Sequence, residues 1–415
     1  MGTVERKALG VLLAAVVAAG WPDAVPASIE DFENWGLSAQ EGDDEYGLDY
    51  HFLFYAPGWE GEWRFADGGA RAYMGCTTNE VWELANEVRV KRELARAIRF
   101  RYDFLQLEGL GHANQQHVVA VELDALGFRV GPFAKLHAEK ARHDLGVGVG
   151  RMFPAGVDVT LAVSFEDANS DLVNERSSIG DRASTDYEDR AVEWLLEIER
   201  LVTPRRWLAV EARLLPEFAK RIMPRPIDDG PAVSRTIGGA EARFHGSIDP
   251  TPSIDLEWRV HAKEGRREDH PEGGSATDVR RSSWIGLARV SHPLAQGWRG
   301  HWGIQGRRNR ERDEAKGADP YRFDVDEIAG TGGASRWFLA WLRGEVGYAH
   351  QNTKVERTGR FRPSHGTRRE DRIYVVAEIE LDRFRARLHE SIELNDEGYS
   401  GHLIDKGLVQ IQVEF

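Results

Sequence analysis

Two residue pairs in this chain have the spacing of a nucleophile and its base. His389 and Ser391 flank Glu390, and His245 and Ser247 flank Gly246. On an extended strand, residues two apart project to one face, where a histidine can take the proton of a serine hydroxyl. The pattern occurs twice, so spacing alone specifies little, and the default for His389 is a hydrogen-bonded histidine on a polar face. Metal chemistry has no comparable set. His112 and His117 frame GHANQQH, and His137 and His143 sit near another loop-like stretch, neither with carboxylates at ligand spacing. The chain contains no glycine-rich phosphate loop, Walker pattern or CxxC, and its one cysteine, Cys76, cannot form an internal disulfide. No cofactor is expected.

The denser chemistry is charge at alternate positions. From Ile254 to Lys263 one face holds Ile254, Leu256, Trp258, Val260 and Ala262, and the other holds Asp255, Glu257, Arg259, His261 and Lys263. From Ile373 to His389 one face carries Glu378, Glu380, Asp382, Arg383, Arg385, Arg387 and His389. A face that charged cannot be a dry core, because each unpaired buried ion costs several kcal/mol. It has to meet water. The same reading places Arg99, Arg101, Glu193, Glu197, Glu211, Arg213, Glu241, Arg243, Arg299, Asp324, Asp326, Arg343 and Glu345 on the wet face of their strands. Opposite signs on neighbouring strands, as in Ile373–Leu381 and Phe384–His389, favour cross-strand ladders. A transverse field across an open pore is the alternative.

The elements that carry these faces are strands. Ala97–Gln106 puts Ile98, Phe100, Tyr102 and Phe104 opposite Arg99, Arg101 and Asp103. Tight links follow at Phe153-Pro154-Ala155-Gly156, Thr203-Pro204, Asp249-Pro250-Thr251-Pro252, His292-Pro293-Leu294 and Asp382-Arg383. Between the hairpins lie long hydrophilic stretches: Glu166–Arg190, Glu217–Thr236, Glu264–Ser282, Arg307–Asp319 and Gln351–Arg372. Short turns alternating with long polar loops are the signature of a transmembrane β-barrel. The expectation is one all-β, antiparallel barrel over residues 50–415, with about 18 strands, or 16 as the alternative, because an even number suits such barrels.

Leu408–Phe415 (LVQIQVEF) sets Val409, Ile411, Val413 and Phe415 against Gln410, Gln412 and Glu414. This stretch resembles the closing strand of Gram-negative outer-membrane β-barrels. The resemblance implies that Phe415 is an assembly signal read by the barrel assembly machinery. The strand is expected to pair with Phe384–Leu394 on one side and with a first spanning strand near Trp59–Tyr73 on the other. Whether the aromatic stretches Tyr50–Tyr55 and Trp59–Phe65 form a first hairpin is left open. Residues 1–27 read as a secretory signal, with Arg6-Lys7 before the apolar run Ala8–Gly20 and small residues at Val25-Pro26-Ala27. Residues 28–49 form an acidic lead-in. The net charge of −14 supplies no basic footprint for nucleic acid.

These features lead to an expected function. A barrel lined by Arg and Glu suits passage of a small hydrophilic solute or oligosaccharide, with outer-membrane lipids around it. It is loosely similar to polysaccharide exporters of the alginate type. The His389/Ser391 pair resembles the active-site motif of outer-membrane lipid A deacylases and phospholipases. The departure is Ile392, which stands where those families place an asparagine. A barrel-embedded lipid hydrolase is therefore the enzymatic alternative, and a non-conducting structural or adhesion barrel is the third.

Overall fold

The computed structural model describes residues 68–77, 81–109, 112–137, 144–165, 184–187, 191–203, 205–223, 231–251, 253–315, 320–359, 364–394 and 406–414. The signal, the acidic lead-in, the 50–65 aromatic stretches and Phe415 lie outside the described residues. The first strands are β1 (Gly68–Thr77), β2 (Val81–Ala95), β3 (Ile98–Gly109), β4 (His112–Ala125), β5 (Phe128–His137), β6 (Asp144–Phe153), β7 (Val157–Phe165), β8 (Ser184–Tyr187) and β9 (Val192–Thr203). The longer ones follow: β10 (Arg206–Met223), β11 (Val233–Thr251), β12 (Ile254–Pro271), β13 (Thr277–Pro293), β14 (Trp298–Ala315), β15 (Tyr321–Leu339), β16 (Leu342–Thr358) and β17 (Ser364–Leu381). The last are β18 (Phe384–Glu393) and β19 (Lys406–Glu414).

Each strand pairs antiparallel with its neighbour, and β7 joins β9 directly. The short β8 pairs with the outer end of β10. The ring closes where β19 meets β1, with Gly69 opposite Glu414 and Gly75 opposite Leu408. Setting β8 aside, the result is a closed barrel of 18 strands. The pairing of β19 with β18 and β1 is the one its alternation predicts, with the first strand beginning at Gly68. One short link is sterically specific. Leu126 and Gly127 both have positive φ, 54° and 78°, the twist that lets two residues join β4 to β5 without splaying them.

The stretches read as long loops are in large part strand. β10 continues to Met223, β12 to Pro271, β14 to Ala315 and β16 to Thr358, and their partners begin within a few residues. The physical reason is cross-strand neutralisation. Arg266 donates to both oxygens of Asp278 at 3.1 and 3.0 Å, and Arg235 donates to Asp269 at 2.6 and 3.1 Å. Polar composition misled the reading because these charges balance one another across the ladder. β10 to β17 therefore stand well above the shorter strands on either side of them.

The two faces of the wall are sorted oppositely along the strands. Near the short turns the outward residues are large and apolar, including Leu161, Trp194, Phe244, Ile304, Val346 and Val375, all exposed. The inward residues Glu193, Glu241, Arg289, Glu345, Glu378 and Arg387 are buried. That is the inverse of a water-soluble fold and the arrangement of a barrel bathed in lipid. Toward the other end of β10–β16 the sorting reverses. Arg266, Glu268, Arg308 and Asp326 face out, while Phe218, Ile237, Phe323, Val325 and Val355 face in and are buried. The wall thus leaves the apolar band and carries two apolar patches on its inner side, one at Ala191, Leu215, Phe218 and Ile237 and one at Tyr321, Phe323, Val325 and Val355, with the buried Arg281–Glu311 ion pair on the strands between them.

Candidate functional site

The candidate site is the charged inner wall within the band. Strand register sets which side chains reach it. Arg99 and Arg101 on β3, Glu193 and Glu197 on β9, and Glu211 and Arg213 on β10 face inward, as do Glu241 and Arg243 on β11. So do Asp255, Glu257, Arg259 and His261 on β12, Arg299 on β14, and Arg343 and Glu345 on β16. Glu378 and Glu380 on β17 meet Arg387 and Arg385 on β18, with His389 two residues further along.

Three positions are corrected. Asp324 and Asp326 sit on the outer face of β15, because the inward positions are Tyr321, Phe323, Val325 and Glu327. Asp326 accepts from Arg308 and Asp324 from Arg322 outside the barrel. The alternation was right there, but its phase was taken from charge alone, and β15 is in the region where charge faces out. Arg383 lies in the turn between β17 and β18 and is exposed, so it is not part of the wall.

Two clusters organise the interior. On the β13–β18 side, Arg289 Nη2 donates to both oxygens of Glu345 at 3.0 and 3.1 Å, and Arg343 Nη2 donates to Glu345 Oε2 at 2.7 Å. His301 Nε2 lies 3.0 Å from Glu345 Oε1 and 2.8 Å from the Tyr374 hydroxyl. Tyr374 in turn stacks on His389 with ring centroids 5.2 Å apart. Arg385 Nη2 donates to Glu378 Oε2 at 2.7 Å. The cluster holds four arginines, Arg289, Arg343, Arg385 and Arg387, around two carboxylates, Glu345 and Glu378, so this wall carries an excess of positive charge.

The second cluster centres on β9. Glu193 accepts from Arg213 Nε at 2.5 Å and from Lys135, and Glu197 accepts from Arg101 at 3.3 Å. Lys91 lies 3.9 Å from Glu199. β9 is five strands round the ring from β3 and six from β2, so these pairs reach across the interior instead of along one ladder. Glu241 is held by Arg243 at 2.6 Å and by His261 at 2.9 Å. At the short-turn end, Arg205 in the β9–β10 turn forms an ion pair with Glu380 of β17, seven strands from β10. Sequence reasoning missed Arg205 because a turn residue has no place in a face pattern. It also missed Arg289 and His301, which follow the same alternation as their neighbours and were legible in principle.

The nucleophile-like pairs also fall on this inner wall. His389 and Ser391 are buried on β18, and His245 and Ser247 face inward on β11, with His245 edge-on to Trp207 at 4.9 Å. Both pairs therefore lie on the face of their strands turned away from the exposed apolar residues of the band. Among the described residues no group of three or more His, Cys, Asp or Glu could hold a metal ion.

No family model matches the sequence, and no curated protein does. Among solved structures the chain is similar to OprD of Pseudomonas aeruginosa, with a TM-score of 0.37 and 10% identity over 83% of this chain and 93% of that one. It is also similar to OccK5 (OpdH) of the same organism, with a TM-score of 0.34 and 10% identity over 83% and 96%. OmpT, an outer membrane protein of Vibrio cholerae, gives 0.32 and 10% over 83% and 95%. The barrel itself is read from this chain's own strand pairing.

Proposed function

We propose that this barrel sits in a bacterial outer membrane, delivered there by the barrel assembly machinery, and passes small hydrophilic solutes or oligosaccharides through its interior. The observation that carries the reading is the sorting of the two faces, with exposed Trp194, Phe244 and Val375 outside and buried Arg289, Glu345 and Glu378 inside. Such a wall presents charge of both signs to a solute while the apolar band holds the barrel in lipid. The mixed lining favours polar cargo without a single fixed sign. The test is single-channel recording of the purified chain in planar bilayers, with candidate oligosaccharides added as blockers. Stepwise conductance that an oligosaccharide interrupts is the expected result, and a folded barrel that inserts without conductance overturns it.

One observation favours a second reading, a non-conducting barrel. The ion pairs Arg101–Glu197, Lys91–Glu199 and Arg205–Glu380 cross the interior, and the inner-face residues Ile237 and Val325 are fully buried. The same recording separates the two, because a permanently filled barrel gives no steps at any salt concentration.

A further inference from the structure

The geometry points to a lipid site on the outside of the barrel: a trough across β12–β16 that takes one acyl chain of a phosphate-bearing lipid whose headgroup binds Arg308 and Lys354. The inference needs the membrane embedding but not conduction. The trough is a groove of about 990 Å³ at the height where the outer face changes from apolar to charged. Glycines make its floor. A Cβ on Gly286 would stand 2.7 Å from the Trp284 indole, and one on Gly306 would stand 3.3 Å from it, so the indole can lie across both strands only because these residues have no side chain. Ile304 and Ile328, both more than half exposed, form apolar walls beside it. A flat indole over glycine with branched aliphatic flanks matches the width of an alkyl chain, and an indole at the polar edge of the band is placed where such rings anchor.

The rim supplies the headgroup chemistry. Arg308, Lys354 and Asp326 border the groove at its charged end, together with the neutral Asn352 and Thr367. Arg308 donates its Nε to Asp326 Oδ1 at 2.5 Å, and its two Nη groups have no further partner among the described residues. Lys354 pairs with Glu356 one step further from the groove. Asp326 and Glu356 balance the two cations formally, so what the rim offers a headgroup is donors, the Nη groups of Arg308 and the ammonium of Lys354. A guanidinium oriented by its Nε and still holding two amino groups is suited to a phosphate oxygen pair. Phosphate is therefore the headgroup that fits, and an uncharged lipid of the same chain length would leave the rim unanswered.

The experiment uses the full chain in detergent, with dioleoyl phosphatidic acid and dioleoylglycerol as the probes and native mass spectrometry as the readout. The expected result is one phosphatidic acid retained per chain, at least about tenfold over dioleoylglycerol, a ratio that one charge-assisted contact sustains. Arg308→Ser with Lys354→Ser removes that preference and leaves weak dioleoylglycerol retention unchanged. Both residues are on the outer surface, and circular dichroism confirms that the variant is a folded sheet. Gly306→Leu, which fills the trough, loses both lipids. Equal retention of the two lipids, unchanged phosphatidic acid retention in the double variant, or displacement of the lipid by inorganic phosphate alone each overturns the site. Conductance of the double variant matches that of the wild type, so failure here is distinct from failure of the channel reading.

Discussion

Glu345→Gln asks how dry the inner wall is. The carboxylate receives Arg289 at 3.0 and 3.1 Å, Arg343 at 2.7 Å and His301 at 3.0 Å, and its side chain is 1% exposed. Glutamine keeps the shape and one acceptor oxygen but removes the charge that balances two guanidinium groups. Breaking a buried pair by removing one partner costs about 3–5 kcal/mol, because the remaining charge stays desolvated. Asp124→Asn is the internal control. Its pair with Arg99, 3.2 Å apart with side chains 45% and 35% exposed, belongs to the exposed class worth about 0–1 kcal/mol. Urea unfolding of both variants in lipid vesicles, read by the midpoint at unchanged slope, compares them directly. A second substitution, Arg289→Met, is expected to recover part of the loss by removing the stranded cation, a coupling that a double-mutant cycle measures. If Glu345→Gln costs no more than Asp124→Asn, the wall is solvated throughout, and the premise that these charges are held out of water fails.

Two further outcomes concern passage. The Arg205–Glu380 pair is partly exposed, with side chains 56% and 21% accessible. At about 1 kcal/mol or less it would part often at room temperature, so wild-type recordings are expected to flicker in a salt-dependent way, and Arg205→Ala should abolish the flicker. Flicker that persists unchanged in the variant removes Arg205 from the pathway. The correction at β15 is tested by ion selectivity. Glu378→Lys and Glu197→Lys should each shift the reversal potential toward anions, whereas Asp324→Lys and Asp326→Lys, on the outer face, should leave it in place.

Much of the fold was legible because a membrane barrel writes its two faces into alternate residues. Ile254–Lys263 shows this without exception, Ile373–His389 shows it on both sides of its turn at Asp382-Arg383, and β19 closes the ring as its pattern of Gln410, Gln412, Ile411 and Val413 requires. Two kinds of information were absent. Strand length above the membrane depends on which charge meets which across the ladder, as Arg235 meets Asp269, and that register exists only after folding. Contacts between distant walls, such as Arg101 with Glu197, depend on the cross-section of the ring, which a pattern along one strand does not contain. Asp324 and Asp326 failed for a related reason. The rule that charge faces inward holds only within the lipid band, and nothing in Tyr321–Ile328 marks where the band ends.

The apolar patch on the inner side of β15 and β16 makes the last prediction. Val325 is fully buried, and Phe323, Tyr321 and Val355 pack with it on the inner side of β15 and β16. An apolar patch of this kind resists wetting over its own stretch of the inner wall, beside the Arg357 guanidinium that lies 5.2 Å over the Phe323 ring. Val325→Thr keeps the shape and adds one hydroxyl. If the patch is permanently dry, the hydroxyl is buried beside apolar partners and costs about 1–3 kcal/mol in unfolding, with no gain in conductance. If the patch wets and dries, the hydroxyl stabilises the wetted form, so stability changes little while the open fraction in bilayer recordings rises. The two outcomes move opposite observables, so one variant measured both ways decides whether the upper end of this barrel is a fixed core or a hydrophobic gate. The channel reading fits the second, because a patch that wets leaves more of the inner wall open to a solute moving toward Arg289 and Glu345 from that end.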